Sequence, residues 1–296
     1  MTAVITLPSS LNDLTFEQVL EQLAPHPPEE KVILDARHCT WASPYGLTAL
    51  LTLAQTRQEK PTFLTPEDTD KSSYWVRAGF FKYAEELYDL QGNVPRARSS
   101  GESDVLLEVT PVNRSQDVHD VVERIQKQAE VILTNKLHLE PRAMMGFSMA
   151  LSESCQNIVE HAGRGGWVMV QAYHYRKRLG RWAAEIAVCD AGIGFRKSLE
   201  NGQRRPVTDR WSDGAALELA VVNGVSRYSD PGRGQGIKGI RGYIGRRGGK
   251  LAVRSGTARI AIVPAWDDDV PRRDNLPNFP GAQLQITIPE NVGKTA

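Results

Sequence analysis

Three polar side chains that could form a ligand site recur at four-residue intervals in the middle of the chain. Glu153, Asn157 and His161 would share one face of a helix, because residues four apart lie above one another in a helix. The flanking positions are apolar, namely Phe147, Leu151, Ile158 and Val159. An acid, an amide and an imidazole in an apolar setting indicate binding or catalysis. A solvated helix face is the alternative interpretation.

A first glycine motif follows a predicted strand. Residues 182–188 alternate in polarity as a strand does and run directly into Asp190, Gly192 and Gly194. A carboxylate at a strand end, followed by two glycines, can lie against a flat ring, because glycine lets the backbone approach a ligand closely. A flexible loop would have the same composition, so the motif by itself leaves both interpretations open.

A second glycine motif precedes a helix-compatible segment at 240–244. Its glycines occupy alternate positions, Gly232, Gly234 and Gly236. Free backbone amides at a glycine-rich turn that opens a helix form an anion site, for which phosphate is the natural ligand. Arg233 and Lys238 stand beside the motif and could pair with phosphate once water is excluded. Solvent exposure of both cations is the alternative.

The order of these elements resembles the GHKL ATP-binding domain, the histidine kinase-like ATPase family that includes the anti-sigma-factor serine kinases. Glu153 and Asn157 resemble its N box, residues 190–194 its G1 box and residues 232–236 its G2 box. The resemblance covers roughly residues 105–290. Within it, the amino-acid sequence of residues 157–162 is most similar to that of the anti-sigma-factor kinases. It implies that the chain binds ATP and Mg²⁺.

The resemblance also implies a role for each matching residue. Asn157 would coordinate Mg²⁺, Glu153 would position or deprotonate the attacking nucleophile, and Asp190 would accept a hydrogen bond from the adenine amine. The remaining candidates for nucleotide contact are His161, Gly192, Gly194, Gly232, Arg233, Gly234, Gly236 and Lys238. Ala282 departs from the family pattern, because relatives often place a threonine there, near the adenine.

The second half of the chain is predicted to form an α+β sandwich. Predicted strands cover 103–111, 167–173, 182–188, 250–254, 259–264 and 283–289, and predicted helices cover 117–133 and 215–222. Together they predict a mixed sheet covered on one face by helices, as in the Bergerat-type (GHKL) sandwich. Asp267 to Asp269 have no obvious metal partner, and we expect them to form a surface loop.

The first part of the chain predicts a small α/β domain. Strand-like segments at 3–8 and 31–36 alternate with helix-like segments at 15–23 and 45–54. Short joints between strands and helices are typical of a layered α/β fold.

This pattern resembles a STAS domain, the fold of the anti-sigma-factor antagonists. The matching residues are Val32 to Asp35, Trp41, Gly46 and Leu47, and residues 74–81 would close the domain. Members of that family place a phosphorylatable serine directly before the glycine, whereas this chain has Tyr45 there and Ser43 two positions earlier. We therefore expect the usual serine switch to be absent.

The composition places these two domains on either side of a short linker. We predict a STAS-like domain at 1–95, a linker at 96–104 that is rich in Gly, Ser, Pro and charge, and a GHKL domain at 105–292. Such a linker gives each half a high effective concentration at the other. The loop at 43–46 would then lie near the nucleotide lid of its own or a dimer partner's ATP domain, with Tyr45 as a packing plug. Alternatively, Tyr45 only caps its own helix and the halves do not touch there.

Composition and charge narrow the function classes. The 296 residues include 36 basic and 35 acidic side chains, so no global field would attract nucleic acid or a membrane. The chain lacks an apolar run of membrane-helix length and a signal pattern, which predicts a cytoplasmic protein. Cys39, Cys155 and Cys189 have no metal-like spacing and are predicted to be buried thiols.

Three functions remain open at this point. The chain could be a serine/threonine protein kinase of the anti-sigma type with Glu153 as base, a slow ATPase in which Glu153 aligns water, or a non-catalytic ATP sensor. The presence of Glu153 favours an enzyme, because Mg²⁺ binding requires no base. The missing serine before Gly46 argues against phosphorylation in cis. The expected partner is a regulatory protein, a sigma factor or an antagonist, and homodimers are common among the families that the chain resembles.

Overall fold

A computed structural model describes residues 2–94, 105–124, 137–138, 141–162, 165–176, 179–202, 211–226 and 235–291. The predicted linker at 96–104 lies outside these ranges, as do Gly232, Arg233 and Gly234. The α/β prediction is confirmed, because the chain combines a parallel sheet in its N-terminal half with a large antiparallel sheet in its C-terminal half.

The N-terminal half is a layered arrangement of short strands and helices. Its strands are β1 (Ala3–Thr6), β2 (Ser10–Leu11), β3 (Val32–Asp35), β4 (Trp41–Ala42), β5 (Thr62–Leu64) and β6 (Asp89–Gln91). Its helices are α1 (Phe16–Leu23), α2 (Pro44–Gln55), α3 (Thr69–Arg77) and α4 (Phe80–Leu87). β1, β3, β5 and β6 form a parallel sheet in that order, and β2 pairs with β4. Parallel neighbours require crossover connections, which the helices supply.

The C-terminal half contains longer strands and the remaining helices. Its strands are β7 (Val105–Val112), β8 (Gly166–His174), β9 (Trp182–Asp190), β10 (Lys250–Gly256), β11 (Ala258–Ile262), β12 (Arg272–Arg273) and β13 (Phe279–Pro289). Its helices are α5 (115–124), α6 (Pro141–Asn157), α7 (Gly194–Asn201), α8 (Asp213–Leu217) and α9 (Gln235–Arg246). Single π-helical turns extend α6 over Ile158–Ala162 and α8 over Glu218–Val222. Within the described ranges, no helix combines the length and the apolar character that a membrane span needs.

The large sheet is antiparallel throughout. Its strands follow the order β12, β11, β10, β13, β9, β8, β7, and each adjacent pair runs in opposite directions. The prediction of a mixed sheet is therefore wrong. Thr257 alone joins β10 to β11, and residues 175–181 join β8 to β9. Connections as short as these reverse the chain into a hairpin, whereas a parallel pair needs a long crossover.

One face of this sheet carries the helices of the C-terminal half. Side chains of a strand point alternately to opposite faces. Ala184, Ile186 and Val188 of β9 belong to a core cluster that also contains Phe147 and Leu151 of α6. This face and its helices form the apolar layer that the alternation of residues 182–188 predicted.

The opposite face of the same sheet packs on the N-terminal half. Ala187 and Cys189 of β9 belong to a second core cluster, together with the residues of α2. α2 is buried from Pro44 to Ala54, and the Thr48 hydroxyl lies 3.3 Å from the Cys189 sulfur. The prediction of a sheet covered on one face is therefore wrong, because α2 packs on the second face and shares one core cluster with residues of both sheets.

Buried ion pairs fasten the edge of this contact. Arg254 of β10 donates two hydrogen bonds to the Glu17 carboxylate of α1, at 2.7 and 3.1 Å. Arg259 of β11 donates to Asp13 and to Asp269, each at 2.6 Å. All of these side chains are buried. Ion pairs therefore join the two halves in addition to apolar contacts.

The acidic segment at 267–269 takes part in the same network. The Lys250 ammonium lies 3.0 Å from the Asp269 carboxylate and 3.3 Å from that of Asp267. Burial is the largest single influence and opposes the charge of Asp269, but the hydrogen bonds and positive charges of Arg259 and Lys250 together outweigh it and lower the pKa of Asp269 to about 2. The prediction of a surface loop is wrong for Asp267 and Asp269, because their carboxylates neutralise cations from β10 and β11.

Candidate functional site

A cavity of about 1240 Å³ opens on the helical face of the antiparallel sheet. Four residues singled out in the sequence line it together, namely Glu153, Asn157, Asp190 and Gly194. α6 and its π-helical turn form one wall, α9 forms the other, and β9 and β13 form the floor. The spacing in the sequence thus identified side chains that the fold brings into one place.

Asp190 lies at the end of β9, where it is buried. Its carboxylate accepts a hydrogen bond of 2.8 Å from the Gly192 amide. Burial raises the pKa of Asp190 to about 7, although the amides of Gly192 and Ala282 partly offset this effect by donating to the carboxylate. Asp190 therefore changes its charge near neutral pH, and it faces the cavity.

Residues of β13 hold the backbone around Asp190 in place. The Gln283 side chain donates from Nε2 to the carbonyl oxygens of Asp190, at 3.2 Å, and Pro280, at 2.9 Å. Gly281 has φ +83°, and a Cβ at this position would lie 2.0 Å from the Asp190 carbonyl oxygen. Glycine is thus required at 281 both for its conformation and for the close approach of β13 to Asp190.

The first glycine motif serves the packing of the chain around Asp190. A Cβ at Gly192 would lie 2.2 Å from the carbonyl oxygen of Ala162, in the π-helical turn. Gly194 has φ +72° at the start of α7, and a Cβ there would lie 2.7 Å from the Ser255 hydroxyl. Gly192 does not line the main cavity, but it borders a smaller one of about 230 Å³ together with Gly194. Both glycines allow neighbouring segments of the chain to approach closely. The sequence had predicted such a close approach for a ligand.

Glu153 and Asn157 project from the last turns of α6. Glu153 is exposed at the cavity, whereas the side-chain nitrogen of Asn157 is buried and makes no hydrogen bond with any described residue. A buried amide without a partner is costly, and a ligand is one way to satisfy it. The assignment of nitrogen and oxygen in the Asn157 amide is interchangeable, so the open atom can donate to an anion or accept from a donor.

His161 follows in the π-helical turn at Ile158–Ala162. The α-helical register that links Glu153 to Asn157 ends at that turn, so the predicted shared face does not continue to His161 in the same geometry. The side chain of His161 lies outside the described residues. Turns of this kind often occur at functional sites.

The second glycine motif is described only from its last residues onward. α9 begins at Gln235, so Gly236 falls in its first turn rather than in a preceding loop. Gly239 and Ile240 line the cavity, whereas Lys238 is exposed and is not among the lining residues. Gly232, Arg233 and Gly234 lie outside the described residues.

Some lining residues were not identified from the sequence. The far end of the cavity is lined by Arg246 and Arg247, a basic pair of the kind that is usually solvated. The Arg247 guanidinium lies 5.7 Å from the ring centroid of Tyr243, another lining residue. α9 contains no acidic residue, and this signal in the sequence could have indicated that its end forms a basic wall.

Tyr45 does not lie beside the cavity. α2 packs on the opposite face of the sheet, where Tyr45 is 3% exposed and meets Phe16 edge to face at 6.1 Å. Ser43 is 1% exposed and accepts a hydrogen bond from the Gly46 amide, so it caps α2. The hypothesis of a plug beside the cavity is wrong, and so is the alternative that the halves do not touch at Tyr45.

The donor set restricts how a metal could bind. Among the described residues, no group of three or more His, Cys, Asp or Glu side chains is arranged to hold a metal ion. Mg²⁺ is commonly bound through one or two protein oxygens together with substrate phosphates, and it keeps several waters. Asn157, with Glu153 one turn away on α6, fits that requirement.

No protein-family model matches the chain, and no curated protein shows a significant match to it. The candidate site is therefore interpreted from its own residues and geometry.

Proposed function

We propose that the C-terminal half binds Mg²⁺-ATP in the cavity as a GHKL-type module, and that the N-terminal half is a STAS-like domain fused to it. The observation that carries this proposal is the convergence of a buried carboxylate, Asp190, with the open amide of Asn157 and the exposed acid Glu153 in one cavity. An antiparallel sheet with α6 and α9 on one face supports the GHKL assignment. The parallel sheet of the N-terminal half supports the STAS assignment.

Asp190 provides the basis for recognising adenine. Its ionised carboxylate accepts hydrogen bonds, and the side chain is buried at the base of the cavity. The amine of adenine is a donor, whereas guanine presents a carbonyl oxygen at the equivalent position. The proposed site therefore favours adenine nucleotides over guanine nucleotides.

The phosphates would lie towards Asn157 and the start of α9. Asn157 and Glu153 are the oxygen donors in the cavity wall that can hold Mg²⁺, directly or through water. When bound, Mg²⁺ supplies positive charge that neutralises the phosphates. The amino-terminal end of α9 adds a favourable helix dipole for an anion.

Glu153 is proposed to orient the nucleophile that attacks the terminal phosphate. It is exposed at the cavity, so water or a hydroxyl group of another protein can reach it. Ser43 and Tyr45 are buried against the other face of the sheet, so the N-terminal half cannot present either hydroxyl as the phosphate acceptor. The proposed activity is therefore phosphoryl transfer to a regulatory partner protein, with hydrolysis of ATP as the second candidate because Glu153 is open to solvent.

Nucleotide binding can be tested on the full chain with a fluorescent ATP analogue, with and without Mg²⁺. We expect Mg²⁺-dependent binding that Asp190→Asn weakens at least about tenfold, since an amide nitrogen placed against the adenine amine is a donor facing a donor. Asp120→Asn is the matched control, because Asp120 is an exposed acid on α5. Absence of Mg²⁺-dependent binding at millimolar nucleotide would overturn the proposal.

The reaction can be followed with ATP that is radiolabelled on its terminal phosphate. Label on a second protein indicates a kinase, label released as inorganic phosphate indicates an ATPase, and unchanged ATP indicates a sensor. We expect Glu153→Gln to bind nucleotide normally and to lose transfer or hydrolysis by about 10²-fold or more. If Glu153→Gln keeps full turnover, the assignment of Glu153 as the orienting residue is wrong.

A further inference from the structure

The cavity extends well beyond the neighbourhood of Asp190. Its lining includes Asp190 at one end of β9 and Arg181, which directly precedes β9, at the other. A strand of nine residues is about 27 Å long at 3.4 Å per residue, so the cavity follows most of the sheet. Its volume of about 1240 Å³ also exceeds the range of about 300–1000 Å³ for small-molecule pockets. The cavity therefore has room for a second ligand.

We name the end of the cavity away from Asp190 the distal arm. Its residues are Met145, Met149, Arg181, Tyr243, Arg246 and Arg247. Met145 and Met149 in the first turns of α6, and Tyr243 and Arg246 in the last turns of α9, form its two sides. A Cβ at Gly146 would lie 2.3 Å from the Tyr243 ring, so the two helices touch where Gly146 meets Tyr243.

One side of the distal arm is apolar and open. Met145 and Met149 are 66% and 61% exposed, and they lie one turn apart on the same side of α6. Exposed apolar side chains that line a groove are typical of an interaction site rather than of a bare surface. Methionine is flexible and polarisable, and it recurs on surfaces that accept apolar side chains of a peptide.

The other side of the distal arm is positively charged. No ion pair joins Arg181, Arg246 or Arg247 to another described residue. The acids that line the cavity are Glu153, Glu160, Asp190 and Glu290, and Glu290 lies 3.4 Å from His138. α9 carries Lys238, Arg241 and Arg246 and no acidic residue, and Arg247 directly follows it. An occupant of this arm therefore has to bring negative charge as well as apolar surface.

The cavity leaves room beside the distal arm for the backbone of a ligand to approach. Gly239 lines the cavity on α9, and a Cβ at this position would meet no atom within 4 Å. Gly239, Tyr243 and Arg246 are spaced four and three residues apart, so they share one side of α9. An amphipathic helix that lies in a groove uses this combination of an apolar wall and a charged wall.

We propose that the distal arm binds an amphipathic helical segment of a partner protein. Its apolar side chains would pack on Met145 and Met149, and its acidic side chains would pair with Arg246 and Arg247. Met149 lies one turn before Glu153 on α6, so the bound segment would end beside the proposed catalytic acid. The proposal concerns peptide binding and goes beyond nucleotide binding, because the distal arm consists of residues other than Asp190 and Asn157.

A random 16-residue peptide library displayed on phage tests this proposal on the full chain without nucleotide. We expect selected peptides to combine leucine-like residues at helical spacing with Asp or Glu. Their affinities, measured by fluorescence anisotropy, should fall at least about tenfold when lysine replaces the acids, since each step of 1.4 kcal/mol is tenfold. Failure to select any peptide, or selection of peptides without acids, overturns the proposal.

Two double variants locate the binding surface. Arg246→Ala with Arg247→Ala, and Met145→Gln with Met149→Gln, should each weaken the selected peptides at least about tenfold. Arg114→Ala and Val4→Ser are matched controls, because both residues are exposed and neither lines the cavity. Circular dichroism melting of each variant checks that it folds.

Three outcomes decide whether the distal arm is the peptide site. Equal affinity of the double variants and the controls would mean that the peptides bind elsewhere on the protein, which overturns the proposal. Displacement of the peptides by millimolar inorganic phosphate alone would identify the arm as an anion site and overturn it as well. If nucleotide binding fails while acidic peptides still bind through these four residues, the distal arm stands without the proposed ATP site.

Discussion

The antiparallel sheet is covered on both faces, but its two coverings differ in chemistry. On the helical face, Ile186 and Val188 pack under α6 and α9, and the cavity opens beside them. On the other face, Cys189 lies against α2, and buried charges such as the Glu17–Arg254 pair close the edge. Apolar contacts are not directional and leave room for a cavity, whereas a buried ion pair requires one particular partner.

This difference assigns separate roles to the two faces. The face with the cavity holds the amide of Asn157, whose buried nitrogen has no partner among the described residues and which lines the cavity, so it is available to a ligand. The face under α2 is held together by residues that are far apart in the sequence, so it fixes the N-terminal half in one position. We therefore expect changes on the α2 face to affect stability and changes on the cavity face to affect binding.

The largest effect is expected when the α2 face is uncovered entirely. Removing residues 1–94 exposes Trp167, Met169 and Phe279 and leaves Arg254 and Arg259 without their N-terminal carboxylates. We expect residues 105–296 alone to lack cooperative unfolding and to aggregate, because exposed apolar patches associate. Circular dichroism melting and size-exclusion chromatography against the full chain measure this. A monomeric fragment that unfolds cooperatively would instead make the N-terminal half a separate module.

A single buried charge should produce the next largest effect. Glu17→Gln leaves the Arg254 guanidinium buried without its counter-charge, and we expect a loss of about 3–5 kcal/mol in the free energy of unfolding. Urea denaturation measures the loss, with Glu21→Gln as the control because Glu21 is exposed on the same helix. The double variant Glu17→Met, Arg254→Met should recover part of the stability. Equal stability of Glu17→Gln and Glu21→Gln would show that the pair does not fasten the halves.

Two amide side chains, one on each face, allow the contributions of the two faces to stability to be compared directly. Gln55 accepts a hydrogen bond of 3.0 Å from the buried Trp167 indole, so Gln55→Leu should cost about 1–3 kcal/mol by leaving that N–H unpaired. Asn157→Leu removes an amide nitrogen that has no partner among the described residues. We expect its free energy of unfolding to stay within about 0.5 kcal/mol of the parent while ATP affinity falls. The reverse ranking in urea denaturation would contradict the assignment of roles to the faces.

The pH dependence of nucleotide affinity should be smaller. Burial raises the pKa of Asp190 to about 7, and only the ionised carboxylate accepts from the adenine amine on both oxygens. Affinity should therefore fall about tenfold between pH 8 and pH 6, which is about 1.4 kcal/mol. Titrations with the fluorescent analogue at each pH measure this, and the profile of Asp190→Asn should lack this step. A fall of equal size in Asp190→Asn would assign the pH dependence to another group.

The same raised pKa has the opposite consequence for stability. The folded state holds the Asp190 proton more tightly than the unfolded state, where the pKa is near 3.8. The contribution of Asp190 to the free energy of unfolding is therefore present at low pH and is lost as pH rises from about 4 to about 7.

Local patterns in the sequence were sufficient to predict most of the secondary structure and the centre of the candidate site. The alternation at 182–188 predicted β9, and the periodicity at 45–54 predicted α2. Glu153, Asn157 and Asp190 line one cavity, as their types and their order along the chain indicated. These predictions succeeded because helix and strand periodicity, and the placement of a polar residue on one face, depend on residues close together in the chain.

The packing between the halves could be indicated by the sequence only in part. α2 has no polar face, since Thr48 and Thr52 are its most polar residues within Leu47 to Ala54, and a helix that is apolar all round is buried on every side. That signal was present, but it does not say which second surface covers the helix. The buried positions of Asp267 and Asp269 had no local signal at all, because their partners Lys250 and Arg259 lie on other strands.

The sequence alone therefore determined the helices and strands and the identity of the acid and amide groups at the cavity, because periodicity and side-chain chemistry are local properties. Only the tertiary structure decided that the sheet is antiparallel, that α2 is shared by two sheets, and that Arg246 and Arg247 line the cavity rather than a solvated face. These features depend on pairings between distant segments, such as Arg254 with Glu17, whose geometry exists only after the chain has folded.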